Sequence, residues 1–203
     1  MDDRTLLEQW GEGNRRAGSL LLERHFSSLY RFFGNKLSSM GDVEDLVQQT
    51  MTAAVEARAK FRGDASFRTF LFAIARNTLL KHLRDRRNTE SFESDGVSVV
   101  DCGMGVSSAV RARREQQLLL TALRHIPIDS QVVLEMYYWE PMKAPQIAEV
   151  LGETLPAVRG RLRRAKAQLL EAIEKLASTP EELSSTVDRM DEWAESLRGY
   201  WEQ

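Results

Sequence analysis

The chain has 203 residues, 42% of them hydrophobic, and balances 28 Lys and Arg against 30 Asp and Glu for a net charge of −2. That length suits one domain or two small ones; no apolar run reaches membrane-spanning length, so no membrane insertion is expected. The single cysteine, Cys102, excludes an internal disulfide and a multi-cysteine zinc site, and the start, Met1-Asp2-Asp3-Arg4-Thr5, carries no apolar signal core, which predicts a cytoplasmic protein.

Nearly every periodic segment has helical spacing, prolines number only five, and no alternating strand pattern occurs, so the expectation is an all-α chain. Leu20, Leu21, Phe26, Leu29, Tyr30, Phe33 and Leu37 are expected to line one broad face of a long helix. Gly41 then breaks the chain, and Asp42 is placed to cap a helix from Val43 to about Phe61. After the polar loop Arg62–Ser66, Ser66 caps a third helix from Phe67 to about Arg87, with Phe70, Leu71, Ile74, Leu79 and Leu83 among its apolar positions. Together these make a first helical domain over residues 1–87. Residues 88–108 are rich in Ser, Gly and acids (Glu90, Glu93, Asp95, Asp101) and hold no base, which reads as a flexible linker.

A second helical domain, residues 109–177, runs through Leu118–Leu123 and Asp129–Tyr138 into its strongest signal. Gln146 to Leu151 reads as a short helix ended by Gly152, with Thr154 capping the helix that follows. That second helix packs five cations into eight residues, Arg159 to Lys166, with no acid among them. Its apolar positions Val158, Leu162, Ala165 and Leu169 recur at spacings of four, three and four, the mark of one buried face. Helix, glycine turn and basic helix form a helix-turn-helix pattern, whose second helix enters the DNA major groove. A charge run alone is usually solvated surface; the preceding helix and turn favour DNA. Residues 178–203 form an acidic extension, with Thr179 as cap, Pro180 at the first helical position and a stripe of Leu183, Val187, Met190, Trp193, Ala194, Leu197 and Trp201. Seven acids against two arginines give it −5, leaving +3 on the first 177 residues.

Four stretches together resemble the sigma-70 family of bacterial RNA polymerase initiation factors, in its small extracytoplasmic-function (ECF) group. They are Leu6-Leu7-Glu8-Gln9-Trp10-Gly11-Glu12-Gly13, Asp42-Val43-Glu44-Asp45-Leu46-Val47-Gln48-Gln49-Thr50, Phe67-Arg68-Thr69-Phe70-Leu71-Phe72-Ala73-Ile74-Ala75-Arg76-Asn77, and the helix-turn-helix. The resemblance covers about residues 5–176. It implies two partners, core RNA polymerase and promoter DNA, and leaves an anti-sigma protein open.

The resemblance also assigns sites. Asp45 and Gln48, with Leu46 and Gln49 at the edge, would dock on the polymerase clamp's coiled coil. Aromatics interleaved with cations suit single-stranded DNA. By resemblance, the loop Arg62, Gly63, Asp64 and Ser66 and the next helix would hold the melted (−10) element with one base extruded. Asn77 would bond a base edge or phosphate, and Arg76, Lys81, Arg84, Arg86 and Arg87 would supply positive charge. The upstream (−35) element would meet Thr154, Arg159, Gly160, Arg161, Arg163, Arg164 and Lys166, some reading bases and some neutralising phosphates. The chain departs from the family at Gly160, a position that is often Ser, and at Lys143, where a capping Ser is common and Pro145 follows. The linker would thread the polymerase toward its active-site and RNA-exit region.

His25, His82 and His125 have no metal-ligand spacing, and no phosphate-binding glycine loop or nucleophile–base pairing occurs. The expectation is a protein that is not an enzyme and needs no cofactor or metal. A free-standing helix-turn-helix regulator would not need the Asp42–Gln49 and Phe61–Asn77 motifs. A sigma-like adaptor that has lost melting would lack the arginines after Asn77. The extension admits three roles: structural helix, intramolecular regulator, or partner-binding helix.

Overall fold

The computed structural model describes residues 1–37, 39–58, 61, 65–89, 108–140 and 142–177, and the regular elements among them are eight helices with no strand. Most of the acidic linker, the C-terminal extension, and the site residues Arg62, Gly63 and Asp64 fall outside these residues, as does the side chain of Arg87. The chain divides into two compact units. One is built on α1 (Asp3–Gly11), α2 (Arg15–Gly34), α3 (Met40–Ala57) and α4 (Phe67–Thr89), and Pro145–Glu153 group with it. The other is built on α5 (Ser108–His125), α6 (Ile128–Tyr138) and α8 (Leu155–Leu176), with α7 (Ala144–Leu151) preceding α8 in the chain.

Side-chain caps start the helices of the first unit. Asp2 accepts from the Thr5 N–H at 2.8 Å and Asn14 from that of Ala17 at 3.2 Å. Gly13, at φ 101°, makes the reversal between α1 and α2 in a conformation few other residues adopt cheaply. The expected cap at Asp42 is displaced: Ser39 Oγ accepts from the Asp42 N–H at 3.3 Å, so α3 starts two residues before Asp42. Asp42 instead sits in the first turn, where a carboxylate meets the positive end of the helix dipole. Ser66 caps α4 as expected, accepting from the Thr69 N–H at 3.1 Å.

α2 packs on α1 and α3, and α3 packs on α4. Leu21, Leu29, Phe32, Phe33, Leu71, Phe72 and Leu79 are fully buried. The Phe32 ring meets Phe33 and Phe72 nearly edge-on at 5.2 and 5.4 Å, a favoured aromatic geometry. The single broad face expected for α2 is narrower in fact. Leu20 and Phe26 are about half exposed, while Leu21 and Leu29 lie on the stripe that α2 buries within its unit.

α1 is held by a close fit and an ion cluster. A Cβ at Gly18 would lie 2.5 Å from the Trp10 ring, so the indole rests directly on the α2 backbone. Arg58, at the end of α3, stacks over Trp10 at 5.3 Å and donates to its carbonyl. Gly18→Ala is therefore expected to destabilise by about 1–3 kcal/mol through overpacking; an unchanged urea midpoint would contradict the fit.

The Asp3 carboxylate accepts from Arg24 Nη1 at 2.6 Å and pairs with Nε2 of the buried His25 at 2.7 Å. Burial alone would raise the Asp3 carboxyl, but the hydrogen bonds and charges of Arg24 and His25 outweigh it and hold it below its ordinary value of 3.8. A depressed folded value means that the stabilisation is complete above the unfolded value and disappears as pH falls through the folded one. Acid-side loss of thermal stability should accordingly be shallower in Asp3→Asn than in wild type; equal slopes would remove this role.

In the second unit α8 is the common partner of α5 and α6. Val158, Leu162, Ala165 and Leu169 are all buried, as their spacing predicts, and they join Leu119, Ala122, Val133, Leu134, Met136 and Ile173 in one core. Ser130 on α6 donates to Gln168 of α8 at 2.6 Å, and Gln131 donates to the Ile126 carbonyl at 2.9 Å, so these buried polar groups are satisfied.

Candidate nucleic-acid interface

α3 presents Glu44, Asp45, Gln48 and Gln49 to solvent on one side, because Val43, Leu46, Val47 and Thr50 take the other into the core. Asp45 and Gln48 are thus exposed, as the proposed docking role requires. Leu46 is not available for docking. Its side chain is 2% exposed, so it holds α3 to its own unit. The expectation that put it at a docking edge took an inward turn of the helix for an outward one. At the start of the same helix Met40 is exposed, Phe26 stacks on Tyr30 at 6.1 Å, and the Tyr30 hydroxyl lies 4.0 Å from Met40 Sδ.

α4 carries a polar track. Phe61 and Phe70 form an aromatic pair at 4.8 Å where the loop enters the helix. Phe70, Asn77, Lys81 and Arg84 follow at intervals of seven, four and three residues, which keeps them on one face over about 21 Å. Asn77, Lys81 and Arg84 are all exposed. Two expected members lie off this track. Arg86 turns toward α3 and sits 3.9 Å from Asp42, whose carboxylate also lies 3.9 Å from His82. Arg76 is half-buried on the flank. The Ser66 hydroxyl is committed to the α4 cap and to Thr69 Oγ1 at 2.8 Å. Beside the loop a cleft of about 670 Å³ is lined by Asp2, Asp3, Leu7 and Glu8 of the α1 segment and by Phe61, Ala65 and Phe67. The sequence reading missed this α1 wall: the Asp3–His25 pair that sets it spans 22 residues and leaves no periodic signal.

Gly152 ends the turn after α7 at φ 65°, and Thr154 Oγ1 accepts from the Ala157 N–H at 3.4 Å, so the predicted turn and cap are both present. Pro156 lies in the first turn of α8, where its missing donor costs nothing. The cations of α8 then divide. Arg161 reaches Asp129 of α6 at 4.0 Å and is 30% exposed. Lys166 lies over the rings of Tyr137 and Tyr138 at 5.2 and 5.0 Å, a cation–π contact that ties α8 to α6. Arg159, Arg163 and Arg164 are exposed.

Two family models match in the order of these surfaces: sigma-70 region 2 over residues 21–89 and sigma-70 region 4 over residues 116–169. The RNA polymerase sigma factor CnrH of Cupriavidus metallidurans is 32% identical over 175 residues, spanning 82% of this chain and 92% of that protein. The chain belongs to the sigma-70 family, as an ECF-type RNA polymerase sigma factor. The ECF RNA polymerase sigma-E factor of Escherichia coli is 26% identical, with 87% of this chain and 96% of that one covered. In the solved structures, CnrH in complex with the cytosolic domain of CnrY superposes with a TM-score of 0.61 at 30% identity, covering 86% of this sigma factor and 99% of that chain. The region 2 match contains both the α3 face and the α4 track, and the region 4 match contains the basic part of α8 through Leu169. Among the described residues no helix of this sigma factor is long and apolar enough to cross a membrane, and no group of three or more His, Cys, Asp or Glu is placed to hold a metal.

Proposed function

We propose that residues 1–87 dock core RNA polymerase through the exposed α3 face and hold the melted −10 element, while residues 109–177 read the −35 element through α8. The observation that carries this is the α4 track, an aromatic pair followed on one face by Asn77, Lys81 and Arg84. Single strands need stacking surfaces and a basic path, and a duplex-binding regulator needs neither there. Asp45 and Gln48 supply polar contacts to the polymerase, and Phe26, Tyr30 and Met40 offer it apolar contact alongside. Residues 88–108 connect the two domains through the polymerase.

The chain performs no chemistry of its own in this reading. It redirects an enzyme, in the cytoplasm. CnrH is seen bound to the cytosolic domain of CnrY; we extend that kind of partner, an anti-sigma protein, to this chain.

Melting is the step that tests the proposal. Asn77→Ala and Arg84→Ala should form closed complexes on a linear promoter at near wild-type levels and show reduced permanganate reactivity of unpaired thymines. Unpairing costs a few kcal/mol, so loss of one base contact should lower open-complex occupancy visibly. Normal melting by both variants would assign these residues to structure instead.

A further inference from the structure

Gly160 has no reason within its own fold to be glycine. Gly18 is required by the Trp10 ring, and Gly13 and Gly152 by their positive φ angles. Gly11 and Gly41 lie in the last and first turns of their helices. Gly160 lies inside the 22-residue α8, its φ is ordinary, and a Cβ built on it meets nothing within 4 Å. A glycine at such a position weakens a helix relative to alanine, because it keeps more freedom in the unfolded chain. The chain thus carries an unfavourable residue where a Cβ would fit the free protein.

Its surroundings point to what lies outside. At 3.6 residues per turn, Pro156, Gly160, Arg163, Arg164 and Ala167 share an arc of about 100° with Gly160 near its centre. Arg163 and Arg164 are exposed on either side of it. A groove-reading helix makes its nearest approach along the centre of such an arc, and cations at the edges reach bases or phosphates.

Resting on the reading of α8 as the −35 helix, we infer that Gly160 is the point of closest approach to the DNA and selects a thymine there. Its only free surface is the Cα methylene, since its N–H and C=O belong to the helix. That surface can neither donate nor accept a hydrogen bond. In the major groove the 5-methyl group of thymine is the one apolar feature of a base edge, and it is the feature a bare Cα can pack against. With no Cβ in between, the helix sits deep enough for Arg163 and Arg164 to engage together.

The test uses the full chain with core polymerase and a duplex library randomised across the upstream element. Wild type should select thymine at one position flanked by the arginine-read bases, and Gly160→Ser should lose that preference. On the duplex selected by wild type, Gly160→Leu should bind about tenfold or more weakly, comparable to losing one base contact. The free protein should respond in the opposite sense: Gly160→Ala should raise the unfolding midpoint of the second domain by about 4 °C. A purely structural glycine would not separate stability from binding in this way. Wild-type affinity in Gly160→Leu, or an unchanged preference in Gly160→Ser, would overturn the inference. The control is Arg163→Ala/Arg164→Ala. If it also binds as wild type, the −35 assignment of α8 falls; if it loses binding while Gly160→Leu does not, only the thymine contact falls.

Discussion

Alanine at both Asp45 and Gln48 is expected to weaken binding to core RNA polymerase by about 2 kcal/mol or more, roughly thirtyfold, with no change in the unfolding midpoint. Both side chains are exposed and neither packs in the core, so the fold has nothing to lose with them. Leu46→Ala should behave in the opposite way. Its side chain is buried between α3 and the rest of its unit, and truncation there should cost about 2–5 kcal/mol of stability. Affinity measured on the folded fraction should then stay near wild type. Fluorescence titration with labelled core polymerase, paired with urea unfolding, separates the two. Wild-type affinity in the Asp45/Gln48 variant would move the docking surface off this face of α3.

The second large effect is expected among the arginines of α8, which the structure sorts into two kinds. Replacing Arg159, Arg163 or Arg164 should cost about 1–3 kcal/mol where the residue reads a base, with altered preference at one position. Where it holds a phosphate, all sequences should weaken alike and the salt slope should fall by about one. Arg161→Ala should do less to DNA binding, since its guanidinium is directed to Asp129. The pair is partly exposed, so its loss should cost at most about 1 kcal/mol of stability. Gel-shift titration over a salt series, alongside thermal unfolding, distinguishes these outcomes. Equal losses of DNA affinity in Arg161→Ala and Arg163→Ala would contradict the division.

Most of α8 and the turn that leads into it could be read from periodicity and capping rules. The α8 core positions, the Gly152 turn and the Thr154 cap all rest on interactions within a few residues, and local rules describe such interactions well. Reading failed where a distant partner decides the outcome. Leu20 and Phe26 are as apolar as Leu21 and Leu29, and only the packing of the neighbouring helices on α2 leaves them outside. Ser39 caps α3 where Asp42 was expected to: both are competent caps three residues apart, and the Asp42 carboxylate lies 3.9 Å from both His82 and Arg86 of α4. In the candidate site the residue types were legible but their directions were not. Arg86 and Arg161 each turn to an aspartate on a neighbouring helix, and Lys166 to two tyrosine rings. A run of cations in sequence does not say which of them the fold keeps for itself.

Run-off transcription with purified core polymerase tests the central claim most directly. A pool of genomic fragments from the source organism would serve as template, with core alone as the reference. Adding the chain should produce discrete new transcripts starting a fixed distance downstream of a shared pair of sequence elements, and the Asp45/Gln48 variant should reduce them strongly at the same concentration. No new transcripts, or DNA binding that is the same with and without core polymerase, would contradict a polymerase-directed factor and favour a free-standing regulator.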